Sequence, residues 1–338
     1  METKDIKNWL LRGDNITICG HVNPDNDSFY AGCALSFILK NYYDKNVNYL
    51  ISGVSFPRYK DYAKRFGILP RSTNIVKYDF PQRDALVLVD LNTSSRTNPE
   101  NECLDLSIFQ EVIVIDHHLE DNSEDAWITA KFIRNGTTCG HVFNIFQNEI
   151  GEMKKELRVD FINGLLMGVL DDLKMFAIPY VTSEDLKLVS QMMDMGGDFN
   201  SVTSLLQRRS FGYYRYISKL YKIVKRDSVG FHYLFLRDAV LPKETELREL
   251  VLNNFKFRTS FIDEVEVIFY IKEGKTGTYK VTMRSKHNLT NLYKEIIKSG
   301  LGSAGGHPGA GGAVIQCSTD AKLIKILGDI VNESEILS

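Results

Sequence analysis

Histidine and aspartate residues recur at short spacing in the first half of this 338-residue chain. The segment 21–27 reads HVNPDND, and the run Asp116-His117-His118 follows later. Carboxylates and imidazoles are suitable ligands for divalent transition ions such as Mn²⁺. Two such ions, roughly 3.5–4 Å apart, lower the pKa of a bound water and neutralise charge on a phosphoryl group. With Asp90 included, acids outnumber histidines by four to three. These residues therefore favour manganese over zinc and indicate phosphoester chemistry.

Each of these groups follows a segment that we predict to be a strand. Residues 15–19, 84–89 and 111–115 are short apolar runs, which is typical of strands buried on both faces of a parallel sheet. Asp90 and Asp116 come at the ends of the second and third runs. Ligands of open α/β sheets bind at the carboxyl ends of the strands. A single residue of this kind would be a turn or cap, but three strands are expected to deliver theirs to one edge.

A fourth contribution comes from two adjacent acids, Asp171 and Asp172, at the end of the apolar helical segment 159–170. Residue types alone leave open which of the two binds metal. A solvated acidic helix terminus is the alternative interpretation of both.

Short apolar runs alternate with helical patterns in the first half, and this predicts an α/β domain with a parallel, Rossmann-like sheet. The segment Met195-Gly196-Gly197-Asp198 is predicted to stop the helical pattern that precedes it. The pattern after it, 204–226, predicts a long connecting helix, and strand-like runs follow with fewer helices between them. We therefore predict a metal-binding catalytic domain at 1–197, a helical connector at 198–226 and a smaller, substrate-binding α/β domain with a mixed sheet at 227–338. Within the first domain, further strands are predicted at 47–52 and 127–133, and helices at 28–42, 138–150, 159–170 and 183–195.

Composition limits the class of protein. The formal net charge of −2 argues against non-specific binding of long duplex nucleic acid, which needs a basic footprint. No apolar stretch approaches the ~20 residues that span a bilayer, and the charged amino terminus predicts a cytoplasmic protein without membrane partners. Five dispersed cysteines predict reduced thiols in the cores rather than a thiolate zinc site.

One segment departs from the even charge distribution. Residues 201–230 contain seven basic side chains and a single acid, Asp227. Tyr213, Ile217, Leu220, Tyr221 and Val224 fall on one helical face, and Arg215, Lys219, Lys222 and Arg226 fall on another. We interpret the basic face first as a solvated surface. The alternative is that it guides the phosphates of a short nucleic-acid strand.

These motifs resemble those of the DHH phosphoesterase superfamily. HVNPDND is similar to its His-x-x-Pro-Asp-x-Asp motif, and Asp90 with Arg96 to its second motif. Residues 168–176 resemble a Gly-Ile-x-x-Asp-Thr-Gly-x-Phe segment, which aligns the ligand with Asp172. Leu173 and Lys174 stand where that family usually has Thr and Gly.

The resemblance implies a set of roles. His21, Asp25 and Asp90 would hold one ion, and Asp27, Asp90, His117 and Asp172 the other. His118 would act on the substrate phosphate, with Asp116 orienting it. Arg96 is expected among the substrate-binding residues. Thr137 to Cys139 are interpreted as a helix N-cap.

The carboxy-terminal half extends the resemblance to the DHH-associated domain. Met283-Arg284-Ser285 and the block GGHPGAGG at 305–312 are similar to its Arg-Ser and Gly-Gly-Gly-His motifs, with Ala304 in place of the first glycine. A glycine-rich loop lets backbone N–H groups approach an anion, and Arg284 would bind the same phosphate. A tight turn is the alternative. The expected substrate-binding residues are Arg284, Ser285, Gly305, Gly306 and His307.

Several subfamilies share the metal site. Family II pyrophosphatases have the motif His-x-Asn-Pro-Asp-x-Asp, which this chain matches down to Asn23, but they end in a Ser-Arg-Lys-Lys-Gln type motif, which is absent here. RecJ-type exonucleases are longer, and membrane-bound cyclic dinucleotide phosphodiesterases carry transmembrane segments. The chain most resembles nanoRNase/pAp phosphatase proteins, exonucleases that degrade very short oligonucleotides and dephosphorylate 3′-phosphoadenosine 5′-phosphate (pAp).

Other functions remain as alternatives at this stage. Cleavage of cyclic or linear dinucleotides and hydrolysis of pyrophosphate or polyphosphate use the same kind of metal site. A nucleotide-binding regulatory module is the alternative from a different class, although the full set of acids would be destabilising without metal. Similar proteins are often homodimers, but no segment of the sequence identifies a contact.

Overall fold

The structure is a computed structural model. It describes residues 2–53, 59–68, 70–80, 83–97, 102–118, 125–178, 181–274 and 277–337, without the side chains of Ser72, Asp125, Glu246 and His307. The chain divides into two compact units, Met1–Arg208 and Arg209–Ser338. Among the described helices, none is both long and apolar enough to cross a membrane.

The first unit is built on a parallel sheet. Its strands are β1 (Asn15–Cys19), β2 (Asn46–Ile51), β3 (Arg71–Ser72), β4 (Ala85–Val89), β5 (Glu111–Asp116) and β6 (Ala130–Ile133). They lie in the order β3-β2-β1-β4-β5-β6, and every neighbouring pair is parallel. All five side chains of β4 are buried, as the continuous apolar run predicted. The order reverses between β1 and β4, the kind of point where α/β sheets bind ligands.

Helices cover one face of this sheet. They are α1 (Thr3–Leu10), α2 (Asn26–Tyr43), α3 (Lys60–Arg65), α4 (Thr138–Ile145), α5 (Gln147–Glu152), α6 (Lys155–Asp172), α7 (Ser183–Asp194) and α8 (Phe199–Gln207). Buried side chains of α2, α4 and α6 form one core with those of the strands. A second core lies among the strands and non-helical segments that contain Ile75, Phe80 and Leu104.

Two predicted elements of this unit have different limits. The predicted helix 138–150 is divided into α4 and α5, because the buried Phe146 between them has non-helical backbone angles (φ −121°, ψ 27°). The predicted strand 127–133 begins only at Ala130, since residues 125–127 form a 3₁₀ turn. The predicted stop at Gly196 is confirmed by its left-handed φ of 108° after α7.

The prediction of one long helix at 204–226 is wrong. Helix α8 ends at Gln207, and a new helix, α9 (Phe211–Ile223), begins after Ser210. The Ser210 side chain accepts a hydrogen bond from the backbone N–H of Tyr213 and so caps the second helix. Arg226 lies beyond α9 in a short strand. The predicted connector is therefore divided between the two units.

The second unit contains a mixed sheet, as predicted. Its strands are β7 (Lys225–Arg226), β8 (His232–Phe235), β9 (Val267–Glu273), β10 (Thr278–Ser285), β11 (Gly302–His307) and β12 (Ala310–Gln316), in the order β11-β12-β10-β9-β8-β7. Only the β8–β9 pair is parallel among these described strands. Helix α9 and α10 (Thr245–Thr259) enclose one core, and α11 (Thr290–Lys298) and α12 (Asp320–Glu333) enclose another.

The five cysteines are all free. Four are buried, as predicted, whereas Cys103 is exposed.

Candidate metal centre

The loop after β1 is held in an irregular shape by its backbone. Asn23 adopts a left-handed φ of 51°, and its N–H donates to the carbonyl of Ser52 at 2.7 Å. The N–H of Val22 donates to the carbonyl of Arg96 at 2.8 Å. Arg96, a predicted substrate residue, therefore lies beside this loop. The loop leads into α2, whose N-cap is Asp25.

His21 is oriented toward two carboxylates. Its Nδ1 lies 2.9 Å from the carbonyl oxygen of Val22, which holds the proton on that nitrogen. Its Nε2 lies 3.7 Å from Asp25 Oδ1 and 3.3 Å from Asp90 Oδ2. Burial opposes protonation, but the bonds and charges of the two acids outweigh it and raise the pKa of His21 to about 10. Once deprotonated, the ring nitrogen that faces the acids is placed to bind a cation together with them.

Asp90 lies between two histidines from different strands. It follows β4 directly, adopts a left-handed φ of 63°, and its N–H donates to the carbonyl of Ile115. Whereas Asp90 Oδ2 faces His21, Asp90 Oδ1 lies 3.2 Å from Nε2 of His117. The side chain is buried. One carboxylate therefore presents each of its oxygens to a different group of potential ligands.

Asp27 belongs to helix α2, and its buried side chain contacts the start of helix α4. Its oxygens accept hydrogen bonds from the backbone N–H groups of Thr138 (2.7 Å) and Cys139 (2.8 Å). The positive end of the α4 dipole favours the negative charge there. Even so, burial and the charges of Asp90 and Asp172 raise the pKa of Asp27 well above its ordinary value.

This part of the site was not predicted from the sequence. Thr137 is the N-cap of α4, as predicted. The same turn also donates backbone hydrogen bonds to Asp27, and Thr138 Oγ1 donates to Asp90 at 3.2 Å. The only signal was the run of small polar residues at a helix start. Pairing them with Asp27 requires the tertiary structure.

His117 and Asp172 complete the cluster on the other side of Asp90. His117 Nε2 lies 3.8 Å from Asp27 Oδ2 and 3.7 Å from Asp172 Oδ2. Burial opposes protonation of His117, but the hydrogen bond of Asp90 and the charges of the three acids raise its pKa to about 10. Burial also raises the pKa of Asp172. The neighbouring Asp171 instead accepts a hydrogen bond from Asn26 at 2.9 Å.

His118 points to a different partner. Its Nδ1 lies 2.7 Å from Asp116 Oδ1. Burial raises the pKa of Asp116, but the bond and charge of His118 outweigh this and lower it. The His118 side chain is 37% exposed. Asp116 Oδ2 is buried and has no hydrogen-bond partner within the described residues.

The donor atoms fall into three groups, each within 4.8 Å, that fit divalent cations. Crowded carboxylates raise one another's pKa because their charges repel, and a divalent cation removes that repulsion. Oxygen and imidazole donors in these numbers suit Mn²⁺. The groups are His21 with Asp25 and Asp90, Asp27 with His117 and Asp172, and Asp90 with Asp116, His117 and His118.

The predicted substrate residues of the second unit lie on β10 and β11, which both pair with β12. Arg284 and Ser285 end β10, and Arg284 is paired in register with Ala310 of β12. The guanidinium of Arg284 donates to the carbonyl of Met283 at 2.8 Å. Ser285 Oγ accepts from the N–H of His287. His307 is paired with Ala310, and its side chain lies outside the described atoms.

The prediction of a glycine-rich loop at 305–312 is wrong, because the block is a β-hairpin. Gly305 and Gly306 belong to β11 and pair with Gly312 and Gly311 of β12. A Cβ on Gly306 would lie 2.5 Å from Gly311 Cα, so the glycines allow the two strands to approach. Since β11 is at the edge of the sheet, alternate N–H groups point away from β12. The backbone N–H groups that could contact an anion here are therefore those of an edge strand, and not those of the predicted glycine-rich loop.

An open groove lies on this half of the sheet. Its volume is about 420 Å³. Side chains of Lys280, Thr282 and Ser303 line it, together with Gly305 and Gly312.

Comparison with protein families gives two matches. Residues 15–169 match the DHH family, N-terminal domain, and residues 239–333 match the DHHA1 domain. Every residue of the metal cluster except Asp172 lies within the first range. Arg284 and the β11–β12 hairpin lie within the second.

Individual proteins are similar over different lengths. Uncharacterized protein MG371 of Mycoplasma genitalium is 21% identical over 97% of this chain and 95% of its own length. A manganese-dependent inorganic pyrophosphatase of Methanocaldococcus jannaschii is 24% identical over 54% of this chain and 56% of its own. An exopolyphosphatase-related protein from Bacteroides fragilis has the same fold, with a TM-score of 0.73 and 17% identity over 99% of this chain and 96% of that one.

Proposed function

Since the chain belongs to the DHH phosphoesterase superfamily and carries a DHHA1 domain, we propose that it hydrolyses short oligonucleotides and pAp in a manganese-dependent reaction. The observation that most supports this proposal is the position of Asp90. Its two carboxylate oxygens lie 3.3 Å from His21 and 3.2 Å from His117, on opposite sides. A carboxylate shared between two ligand groups is the arrangement that a two-ion site requires.

Manganese is proposed from the donors and from one relative. His21, Asp25 and Asp90 would hold one ion, and Asp27, Asp90, His117 and Asp172 would hold the other. Ions bound there would supply charge neutralisation for the phosphoryl group and a water of lowered pKa. The Methanocaldococcus jannaschii pyrophosphatase is manganese-dependent by name, which supports the same metal here.

His118 is the proposed proton-transferring residue. Asp116 accepts the hydrogen bond of its Nδ1, which fixes the tautomer and leaves Nε2 for the substrate. Because Asp116 is fully buried, that orientation does not depend on solvent. His118 would donate to a phosphate oxygen or protonate the leaving group.

Nucleotides are proposed as substrates because of the second unit. Arg284 offers a guanidinium suited to phosphate, and the edge-strand N–H groups of β11 offer further donors. The net charge of −2 fits small substrates better than long nucleic acid. Inorganic pyrophosphate is the second candidate, because the pyrophosphatase relative shares 24% identity over about half of this chain.

A substrate panel tests the proposal. Purified protein with Mn²⁺ would be given pAp, di- to pentanucleotides, a cyclic dinucleotide, pyrophosphate and bis-p-nitrophenyl phosphate. We expect the highest kcat/KM for the short oligonucleotides or pAp, and no turnover by the Asp90→Ala variant. Preference for pyrophosphate would replace the proposal with the second candidate. Absence of any metal-dependent turnover would favour a regulatory nucleotide-binding protein.

A further inference from the structure

Helix α9 of the second unit has a buried side and an exposed side. Tyr213, Ile217 and Leu220 pack into the core with α10 and the sheet. The other side carries an exposed set that we name the aromatic–basic face. It consists of Phe211, Tyr214, Arg215, Lys219, Tyr221 and Lys222.

The aromatic residues of this face are unusually exposed. Phe211 is 84% exposed and Tyr214 is 54% exposed. They are three residues apart and therefore neighbours on the helix surface. Tyr221, two turns further on, is 38% exposed although the sequence pattern placed it on the buried side. Large apolar surface left in water usually marks a binding site.

The charges on the face all have one sign. Helix α9 contains no acid. Arg215, Lys219 and Lys222 are exposed, and none of the three makes an ion pair within the described part of the chain. Arg258, in the last turn of α10, lies within electrostatic reach of Tyr221. The complementary partner is therefore an anion that also offers flat apolar surfaces.

We propose that the aromatic–basic face binds a single-stranded oligonucleotide, an inference that rests on the proposed function. Bases stack on exposed aromatic rings in a sequence-tolerant way, while cations follow the phosphates. A duplex hides its base faces, so Phe211 and Tyr214 fit a single strand. The face from 211 to 222 is about 16 Å long, enough for about five stacked nucleotides.

Two double variants separate the two kinds of contact. Phe211→Ala with Tyr214→Ala removes the stacking surface, and Arg215→Gln with Lys222→Gln removes two charges. The matched control is Lys322→Gln with Lys325→Gln, which removes two exposed charges from α12. Each protein would be assayed with a pentanucleotide, a dinucleotide and bis-p-nitrophenyl phosphate.

We expect both face variants to raise KM for the pentanucleotide about tenfold or more, with at most a twofold change for the other two substrates. The charge variant should also lower the slope of log KM against log salt by about 1.4, or 0.7 for each lost phosphate contact. The control should match the unaltered protein. Equal KM changes for long and short substrates, or none, would overturn the proposal.

Binding without hydrolysis separates this inference from the proposed function. Fluorescence anisotropy of a labelled pentanucleotide, measured without metal, should show about tenfold weaker binding by both face variants. If the unaltered protein binds the pentanucleotide through this face but cleaves no substrate, the proposed function is wrong, whereas oligonucleotide binding by the aromatic–basic face is supported. Light scattering gives the remaining outcome: a dimer that becomes a monomer in the Phe211/Tyr214 variant would assign the face to a second copy and overturn the proposal.

Discussion

Two adjacent acids at the end of α6 have different environments. Asp172 Oδ2 lies 3.7 Å from His117 Nε2, within a group of potential metal ligands. Asp171 Oδ2 accepts a hydrogen bond from Asn26 Nδ2, outside that group. The structure thus distinguishes two residues that residue type alone could not. It favours Asp172 as the metal ligand, which is the residue that the superfamily motif selects.

Substitution of the two acids should therefore have unequal effects. Asp172→Asn is expected to lower kcat at least about 100-fold and to abolish the rise in Tm that Mn²⁺ produces, because a ligand is lost. Asp171→Asn should change kcat less than about threefold. Thermal unfolding with and without Mn²⁺, together with hydrolysis of bis-p-nitrophenyl phosphate, measures both. The reverse ranking would assign the ligand to Asp171.

Three consecutive residues after α6 have left-handed backbones. Lys174, Met175 and Phe176 have φ values of 47°, 58° and 64°. Such conformations cost side chains other than glycine of the order of 1 kcal/mol each. Lys174 stands where the superfamily usually has glycine. The loop thus keeps a shape that glycine would adopt without strain.

Lys174→Gly is expected to have a free energy of unfolding about 1 kcal/mol higher than that of Lys174→Ala, because glycine relieves the strain. Lys174 Nζ donates to the carbonyl of Asp171 at 2.6 Å, and glycine removes that bond as well. Lys174→Ala loses the same bond but keeps the strain, so it is the matched control. Urea unfolding of the Mn²⁺-loaded proteins should rank Gly above Ala. Equal stability of the two variants would show that the backbone carries no strain.

At the scale of elements, the site depends on how closely α6 approaches the start of α4. Gly168 of α6 lies where a Cβ would be 2.3 Å from Cys139 Sγ and 3.1 Å from Asp27 Oδ1. No larger residue fits without moving the turn that holds Asp27. Helix packing, rather than the ligand loop alone, therefore positions this carboxylate.

Gly168→Ala is expected to destabilise the fold by about 1–3 kcal/mol and to weaken Mn²⁺ binding, because the added methyl displaces Asp27 or Cys139. Gly151→Ala in α5 is the control, since its Cβ would meet only Met195 Cε at 3.8 Å. That variant should be neutral or slightly more stable. Calorimetric titration with Mn²⁺ and urea unfolding measure the two effects. Unchanged metal affinity in Gly168→Ala would separate the helix contact from the site.

At the scale of the whole molecule, the two units carry different residues of the proposed reaction. The metal cluster lies entirely in Met1–Arg208, and Arg284 and the β11–β12 hairpin lie in Arg209–Ser338. The proposed chemistry and the proposed nucleotide recognition are thus assigned to separate units.

Arg284→Ala should separate these two contributions. KM for pAp or a dinucleotide is expected to rise about tenfold or more, because a charge-assisted phosphate contact is lost. The kcat for bis-p-nitrophenyl phosphate should change less than about twofold, since the metal cluster is untouched. Lys325→Ala, another cation of the same unit, is the control. Equal losses on both substrates would remove Arg284 from recognition.

The sequence by itself predicted the parallel sheet, the mixed second sheet and the clustering of the candidate metal ligands. The apolar runs at 15–19, 84–89 and 111–115 predicted the strands because both faces of a parallel sheet are buried, and burial imposes a continuous apolar pattern. Acids and histidines at the strand ends predicted a cluster because parallel strands present their carboxyl ends on one edge. The helix break at Ser210 was missed, since a single serine is a weak local signal against a long amphipathic pattern.

Only the tertiary structure decided which atoms face each other. The support of Asp27 by α4, the packing of Gly168 and the choice of Asp172 join residues that are 29 to 141 positions apart in the chain. The hairpin at 302–316 replaced the predicted loop because its glycines pair across two strands. Such contacts follow from packing between elements, and packing depends on side chains that no local spacing brings together.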